Sequence, residues 1–300
     1  MSELKRLISC SASDFKQMTR ESFKQSIISS EGRTIMGETV VTAAPLLEDV
    51  TNAEVMAAFG VDLIVLNEFD VFEKKIEGFY ECENPIEELK RLTGRPVGIN
   101  LEPVDENALV LDDKVELSKG RQALRESVVA AEKLTVDFIT ITGNPSTGVS
   151  NDSIKNSVKM VRENFSGLIF AGKMHGAGLS EEVLTIAELK EYVRLGADGV
   201  LIPTVGTVPG VTEAKAAEAV REIKKLNGLV IHTMGTSQES ADEETIREFG
   251  LSNKRVGGDI HHIGDGAYGR TPPPENIMKL SITVRGKRHA YFRMSQSIHR

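Results

Sequence analysis

The chain has 300 residues, 40% of them hydrophobic and 27% charged, with a formal net charge of −8. A length of this order supplies a core that needs no cross-links. The acidic balance speaks against general nucleic-acid binding, which calls for a basic surface. Cys10 and Cys82 are too few for a disulfide framework and are expected as free thiols of a reducing compartment. The N-terminal stretch MSELKRLISCSASDF has no apolar run of signal-peptide length, and no run of about 18 apolar residues could span a bilayer, so a cytoplasmic location without membrane contact is expected.

In chain order, residues 13–29 read as an extra helix that covers one end of the fold or meets a partner. Short apolar runs then alternate with amphipathic segments. Strand one is read over 38–44 (ETVVTAA), closed by Pro45, and Thr51-Asn52-Ala53-Glu54 is a capping box that opens a helix. Strand two is read over 62–66 (DLIVL), with a helix near 85–92; strand three over 96–101 (PVGINL), with a helix over 119–134. Strand four is read over 137–142 (DFITIT) with a helix over 151–164, and strand five over 168–174 (LIFAGKM) with a helix opened by TIAE at 185–188. Strand six falls at 199–203 (GVLIP) with a helix over 212–226 closed by Asn227-Gly228. Strand seven falls at 229–233 (LVIHT) with a helix after SADE at 240–243, and strand eight at 256–260 (VGGDI), before a last helix near 274–276.

Eight strand-helix pairs in strict order, with no glycine-rich dinucleotide fingerprint after strand one, predict a single α/β domain of the (β/α)8 barrel type. The boundaries read as an N-terminal helical extension over 1–37, a barrel over 38–286 and a basic tail over 287–300. From Arg285 to Arg300 five Lys or Arg occur without an acid, which reads as a solvated or subunit-contacting segment.

Active sites of such barrels lie at the C-terminal ends of the strands. The sequence places there Asn67, Glu68 and Asp70; Asn100 and Glu102; Thr142, Gly143, Asn144 and Thr147; Lys173 and His175; Thr204; His232, Gly235, Thr236 and Ser237; and Asp259, His261, His262, Gly264 and Asp265. Four of the six histidines fall on this one edge. Side chains alternate faces along a strand, so Lys173 and His175 share a face, as do Asn100 and Glu102. A lysine at a barrel centre can form a Schiff base or balance an anion. The expected catalytic set is Lys173, His175, Glu102 and His232. The expected substrate or anion cradle is Asn67, Asn100, Asn144, Thr204, Gly235, Thr236, His262 and Gly264, since barrels often bind anions with the loops after strands seven and eight. Glu102, His175 and Asp259 are candidate ligands for a divalent metal such as Mg2+, although the H-x-H, C-x-x-C and H-E-x-x-H signatures are absent.

The stretches TNAE, LNEFD, GRPVGINLEP, TGNPSTGVS, GKMHGAG, DIHHIGD and RGKRHAYFRM resemble an uncharacterised family of bacterial (β/α)8 barrels that goes under the label phosphoenolpyruvate phosphonomutase-like. The resemblance implies a barrel and a lyase or isomerase acting on a small phosphorylated or carboxylated metabolite. Phosphonomutases and isocitrate lyases carry a D-x-D-type cluster for Mg2+ around strands two and three; here Asn67-Glu68-Phe69-Asp70 and Asn100-Leu101-Glu102 hold acids at another spacing. A metal-dependent hydrolase and a non-catalytic ligand-binding or scaffold barrel are the alternatives. The expected partners are a small anionic metabolite and further copies of the chain.

Overall fold

The computed structural model describes residues 5–105, 115–176, 181–266 and 270–300. Its strands are β1 (Thr34–Val40), β2 (Leu63–Asn67), β3 (Val97–Leu101), β4 (Phe138–Ile141), β5 (Leu168–Gly172), β6 (Gly199–Pro203), β7 (Leu229–Thr233) and β8 (Ile260–Ile263). All are parallel, neighbours in sequence pair in space, and β8 pairs with β1 to close the barrel. Two helices precede the barrel, α1 (Ala12–Phe15) and α2 (Arg20–Ile28), because Thr19 breaks the expected single helix and caps the second piece through the N–H of Ser22. The others are α3 (Asn52–Ala58), α4 (Pro85–Thr93), α5 (Arg125–Lys133), α6 (Asn151–Asn164), α7 (Ile186–Arg194), α8 (Glu213–Lys225), α9 (Glu243–Val256) and α10 (Pro274–Met294).

Local chemistry sets many of these boundaries. Thr51 and Glu54 form the capping box read from the sequence. Asn84 accepts the N–H groups of Ile86 and Glu87, Pro85 stands where no N–H is needed, and Gly94 takes the left-handed conformation that ends α4. The stretches TIAE at 185–188 and SADE at 240–243, which have capping-box form, do not make boxes. The Thr185 side chain caps nothing and turns to Glu182, and α9 is capped by Asp242, which accepts the N–H of Thr245, while Ser240 lies in the preceding turn.

Two strands are displaced from the sequence reading. β1 starts four residues earlier, at Thr34, and β8 four later, at Ile260, because Val256 still belongs to α9, which Gly257 ends at φ 94°. The displacement of β8 matters most for the site. It puts His261 and His262 inside the strand and Asp259 before its first residue.

Period-two alternation sorts the strands into two apolar layers. Met36, Leu63, Val65, Phe138, Leu168, Phe170, Leu201, Leu229, Ile231 and Ile260 fill the barrel, sealed from below by Leu7, Phe23 and Ile27 of the N-terminal segment. Ile35, Ile64, Leu66, Ile99, Ile139, Ile169, Val200, Val230 and Ile263 face the helices.

The N-terminal end of the barrel is organised by a fourfold pattern. Asp62, Asp137, Asp198 and Asp259 stand just before the even-numbered strands. Their carboxylates accept the N–H groups of Ile35 (2.8 Å), Val97 (2.8 Å), Ile169 (3.0 Å) and Val230 (2.9 Å), and their own N–H groups bond back to the carbonyls of the same residues. Each carboxylate thereby supplies an acceptor that the start of the preceding strand lacks. Each also meets a cation: Asp137 meets Lys90 at 2.9 Å, Asp198 meets Arg20 at 2.8 Å, and Asp259 meets Lys224 at 3.2 Å. Asp62 is clamped between Arg285 and Arg293, both at 2.6 Å and all three side chains fully buried. The basic segment is therefore a solvated tail only in part: Arg285 and Arg293 are buried, and Lys287, Arg288 and Arg300 are exposed. It runs on as α10, and Arg293 also donates to the carbonyls of Leu7 and Cys10, which ties the C-terminal helix to the N-terminal segment beneath the barrel.

Candidate active site

The inward positions turn from apolar to polar toward the C-terminal ends of the strands. In β1 Met36 is followed by Glu38, in β2 Val65 by Asn67, in β4 and its continuation Phe138 by Thr140 and Thr142, and in β8 Ile260 by His262. A cavity of about 730 Å³ opens above this layer, lined among others by Glu38, Asn67, Asn100, Thr142, Asn144, Met174, His175, Gly235, Thr236, Ser237, Asp265 and Arg270.

Three amides form its floor. Asn67 Nδ2 donates to Asn144 Oδ1 at 2.8 Å, Asn144 Nδ2 donates back to Asn67 Oδ1 at 3.1 Å, and Asn100 Nδ2 reaches the same oxygen at 3.2 Å. Glu102 lies behind them, buried, and accepts both the backbone N–H and the side-chain amide of Asn144 at 2.7 Å each, with Arg121 at 3.5 Å. Burial raises the Glu102 carboxyl above its ordinary value against these donors. Glu102 is absent from the cavity lining and holds Asn144 in place.

Asp265 stands on the cavity wall, where Asn67 Nδ2 donates to its Oδ2 at 2.7 Å. Burial, and then the nearby Glu38, push its carboxyl up to about 7, against the Asn67 hydrogen bond and the pull of His262 and Arg270. Glu38 itself is 2.6 Å from His262 Nε2, and both are buried. His175 lines the cavity nearby; burial lowers its imidazole below the usual value, Glu38 opposes this and Lys173 adds to it.

Of the residues expected from sequence, Asn67, Asn100, Asn144, His175, Gly235 and Thr236 line one cavity, and His262 meets its wall through Glu38. Gly264 shapes the wall: its N–H bonds Met234 O at 2.9 Å, and a Cβ there would lie 2.4 Å from the same oxygen. The rest go elsewhere. Lys173 and His175 do not share a face, because β5 ends at Gly172; Lys173 is absent from the lining and its Nζ meets Glu181 at 2.5 Å. His232 shares the outward face of Val230, is fully buried among the helices with neither ring nitrogen hydrogen-bonded, and is pushed down to about 3 by burial. His261 also points outward and bonds Gly32 O at 2.9 Å. Thr204 is buried against Asn253 of α9 at 3.2 Å. Asp259 sits at the opposite end of the barrel.

The expected metal set of Glu102, His175 and Asp259 therefore does not assemble, and among the described residues no group of three or more His, Cys, Asp or Glu side chains is arranged to hold a metal ion. These residues do not fit the Mg2+ that the phosphonomutase-like resemblance implies.

Glu38 and Arg270 escaped the sequence reading, and Asp265 stood on the rim without a role. The signal for Glu38 lies in the alternation Met36-x-Glu38. It is hidden when strand one is started at Glu38, which makes the residue its entrance instead of its inward-facing end.

A family model described as a domain of unknown function, DUF7916, matches residues 8–300. The chain belongs to that family. Among solved structures, a protein described as a lyase/mutase from Burkholderia cenocepacia J2315 is 16% identical and aligns over 86% of this chain and 84% of its own, with a TM-score of 0.51. An archaeal fructose 1,6-bisphosphate aldolase is 14% identical and aligns over 86% of this chain and 95% of its own, with a TM-score of 0.54. At these identities the likeness is one of barrel fold. No curated protein matches the chain. Among the described residues no helix is long and apolar enough to cross a membrane.

Proposed function

We propose that this DUF7916 barrel is an enzyme of the lyase or isomerase type that moves a proton on a small carboxylated or phosphorylated metabolite bound in the mouth cavity. The observation that carries the reading is Asp265, a carboxyl on the cavity wall pushed up to about 7 by burial and by Glu38. A group that titrates near neutral pH is present in both forms, so it can take a proton and give it back without a large energetic penalty in either direction. The hydrogen-bonded pair of Glu38 and His262 offers a second proton site a short way off, and two titratable groups with different environments are what acid-base chemistry on one substrate needs.

The remaining lining supports an anionic substrate. Arg270 and His175 are the basic side chains of the wall, and Gly235, Thr236 and Ser237 line it, with Ser237 in the left-handed region at φ 75°. Backbone N–H groups in such turns receive carboxylate or phosphate oxygens. The amide floor, held by Glu102, fixes orientation through groups whose charge does not change. Lys173, His232 and Thr204 have no part in this scheme.

Native mass spectrometry of the purified protein, followed by identification of any released small molecule, tests the reading. The expected result is a polar anion that the wild type converts and that Asp265→Asn binds with turnover lowered by about 100-fold or more. Turnover that survives Asp265→Asn refutes the assignment, and a ligand returned unchanged by the wild type refutes catalysis.

A further inference from the structure

The amides on the cavity floor form a chain whose hydrogen-bond polarity is fixed at both ends. At one end stands the backbone N–H of Glu68, a donor that cannot turn round. It meets Asn67 Oδ1 at 2.9 Å, so the other atom of that amide is Nδ2. At the other end the Glu102 carboxylate offers only acceptors. One of its oxygens takes the Asn144 backbone N–H and the other takes Asn144 Nδ2, each at 2.7 Å. Between these ends the two amides exchange bonds, Asn67 Nδ2 donating to Asn144 Oδ1 at 2.8 Å and Asn144 Nδ2 to Asn67 Oδ1 at 3.1 Å. Turning over the first amide would set donor against donor, and turning over the second would set acceptor against acceptor.

The second hydrogen of Asn67 Nδ2 goes to Asp265 Oδ2 at 2.7 Å, across 198 positions of sequence, because β2 and β8 both flank β1. Asn67 then has both amide hydrogens placed, and its oxygen takes a third donor, Asn100 Nδ2 at 3.2 Å. Its capacity is used up on its neighbours, with none left for a ligand. Among the described residues Asn67 is the hydrogen-bond partner of the Asp265 carboxyl, and it meets Oδ2 and not Oδ1. Asp265 is held from the backbone side as well, since the preceding Gly264 N–H bonds Met234 O at 2.9 Å.

We propose that Asn67 is a positioning residue, and that the chain Glu102–Asn144–Asn67 presents the acid proton of Asp265 at Oδ1. A protonated carboxyl has one O–H donor and one carbonyl acceptor; the bond from Asn67 pins the acceptor to Oδ2 and leaves the O–H on Oδ1. In the forward step the Oδ1–H bond breaks, the substrate gains that proton, and Asp265 becomes a carboxylate. The amide protons stay on their nitrogens. The Asn67 bond strengthens as Oδ2 takes up negative charge, which favours giving the proton away. Glu38 of β1, His262 of β8 and Arg270 act on the same carboxyl through their charge. The use of this arrangement in turnover rests on the proton-transfer reading above; the orientation of the chain does not.

The test is made on the full chain without substrate. The Asp265 carboxyl 13C and the side-chain amide 15N resonances of Asn67 and Asn144 are followed by NMR from acid to alkaline pH in wild type, Asn67→Leu and Glu102→Gln. In wild type the Asn67 amide should inflect at the same pH as Asp265. Loss of the donor in Asn67→Leu should raise the Asp265 titration by about one pH unit, the worth of one hydrogen bond to an ionised group. Glu102→Gln sets an amide against Asn144 Nδ2, reverses the chain, and should raise the Asp265 titration from a distance. The lost negative charge alone would lower it, and so would water entering a loosened pocket. An Asn67 amide that ignores the Asp265 titration, or an Asp265 titration that stays or falls in either variant, overturns the proposal. The wild-type coupling decides the matter even where a variant fails to fold. Coupled titrations with undiminished turnover in Asp265→Asn would sink the proposed reaction and leave the orienting chain standing; uncoupled titrations with turnover lost would do the reverse.

Discussion

The replacement Asp265→Asn isolates the group on which the proposed chemistry turns, and its effect on stability can be worked out before any substrate is known. The folded protein holds the Asp265 carboxyl at about 7, against an ordinary value of 3.8. The difference is about three pH units, and at about 1.36 kcal/mol per unit it caps the linkage at about 4 kcal/mol. Asp265 is half-buried, and solvent screening brings the expected effect to about 2 kcal/mol. The sign follows from proton counting. Between the two values the native state keeps a proton that the unfolded chain has released, so wild-type stability falls as pH rises from about 4 to about 7. Asparagine has no such proton, and its side-chain oxygen can still accept the bond from Asn67. Denaturant unfolding of both proteins across this range is the assay. The variant should gain on the wild type progressively, reaching about 2 kcal/mol above neutral pH, while losing turnover. A stability difference that does not change with pH refutes the account of Asp265 as a carboxyl held protonated by burial and Glu38.

The outward-facing His232, pushed down to about 3, makes the opposite contribution: the unfolded chain takes up a proton that the native core refuses, so stability is intact above about pH 6.5 and falls as the medium is acidified. His232→Leu should therefore be less acid-labile, by about 2 kcal/mol at pH 5 in denaturant titrations, with turnover unaffected. Arg293→Met breaks the buried contact with Asp62 and should cost about 3–5 kcal/mol in equilibrium unfolding; equal stability would show that the clamp is idle. Glu102→Gln removes one of the two acceptors that hold Asn144, and calorimetry should find binding of the identified ligand weakened about tenfold, the effect of losing one charge-assisted hydrogen bond.

The order of strands and helices was legible from the linear sequence because it depends on local quantities. Apolar runs mark buried strands, and the Thr51 box, Pro85 and Gly94 announce helix ends through bonds made within a few residues. The barrel class followed from eight such repeats, and the C-terminal rim of the sequence reading includes Asn67, Asn100, Asn144 and His175, which line one cavity. Which face a rim residue presents was another matter. A shift in the start or end of a strand changes which side chains belong at the mouth: β8 begins at Ile260 and not at Val256, and with that Asp259 moves to the bottom of the barrel and His262 to the inside. His232 and Thr204 lie at the right height but on the wrong side of the wall, a distinction that depends on register and closure. The burial of Arg293 and the raised carboxyl of Asp265 are decided by the folded packing: Asp62 meets the first, and burial, then Glu38, acts on the second. Sequence thus determined the barrel and part of its rim; the closed tertiary structure added Glu38 and Arg270, removed Asp259, and decided which groups share a low-dielectric pocket, because burial and charge coupling are properties of the space between strands.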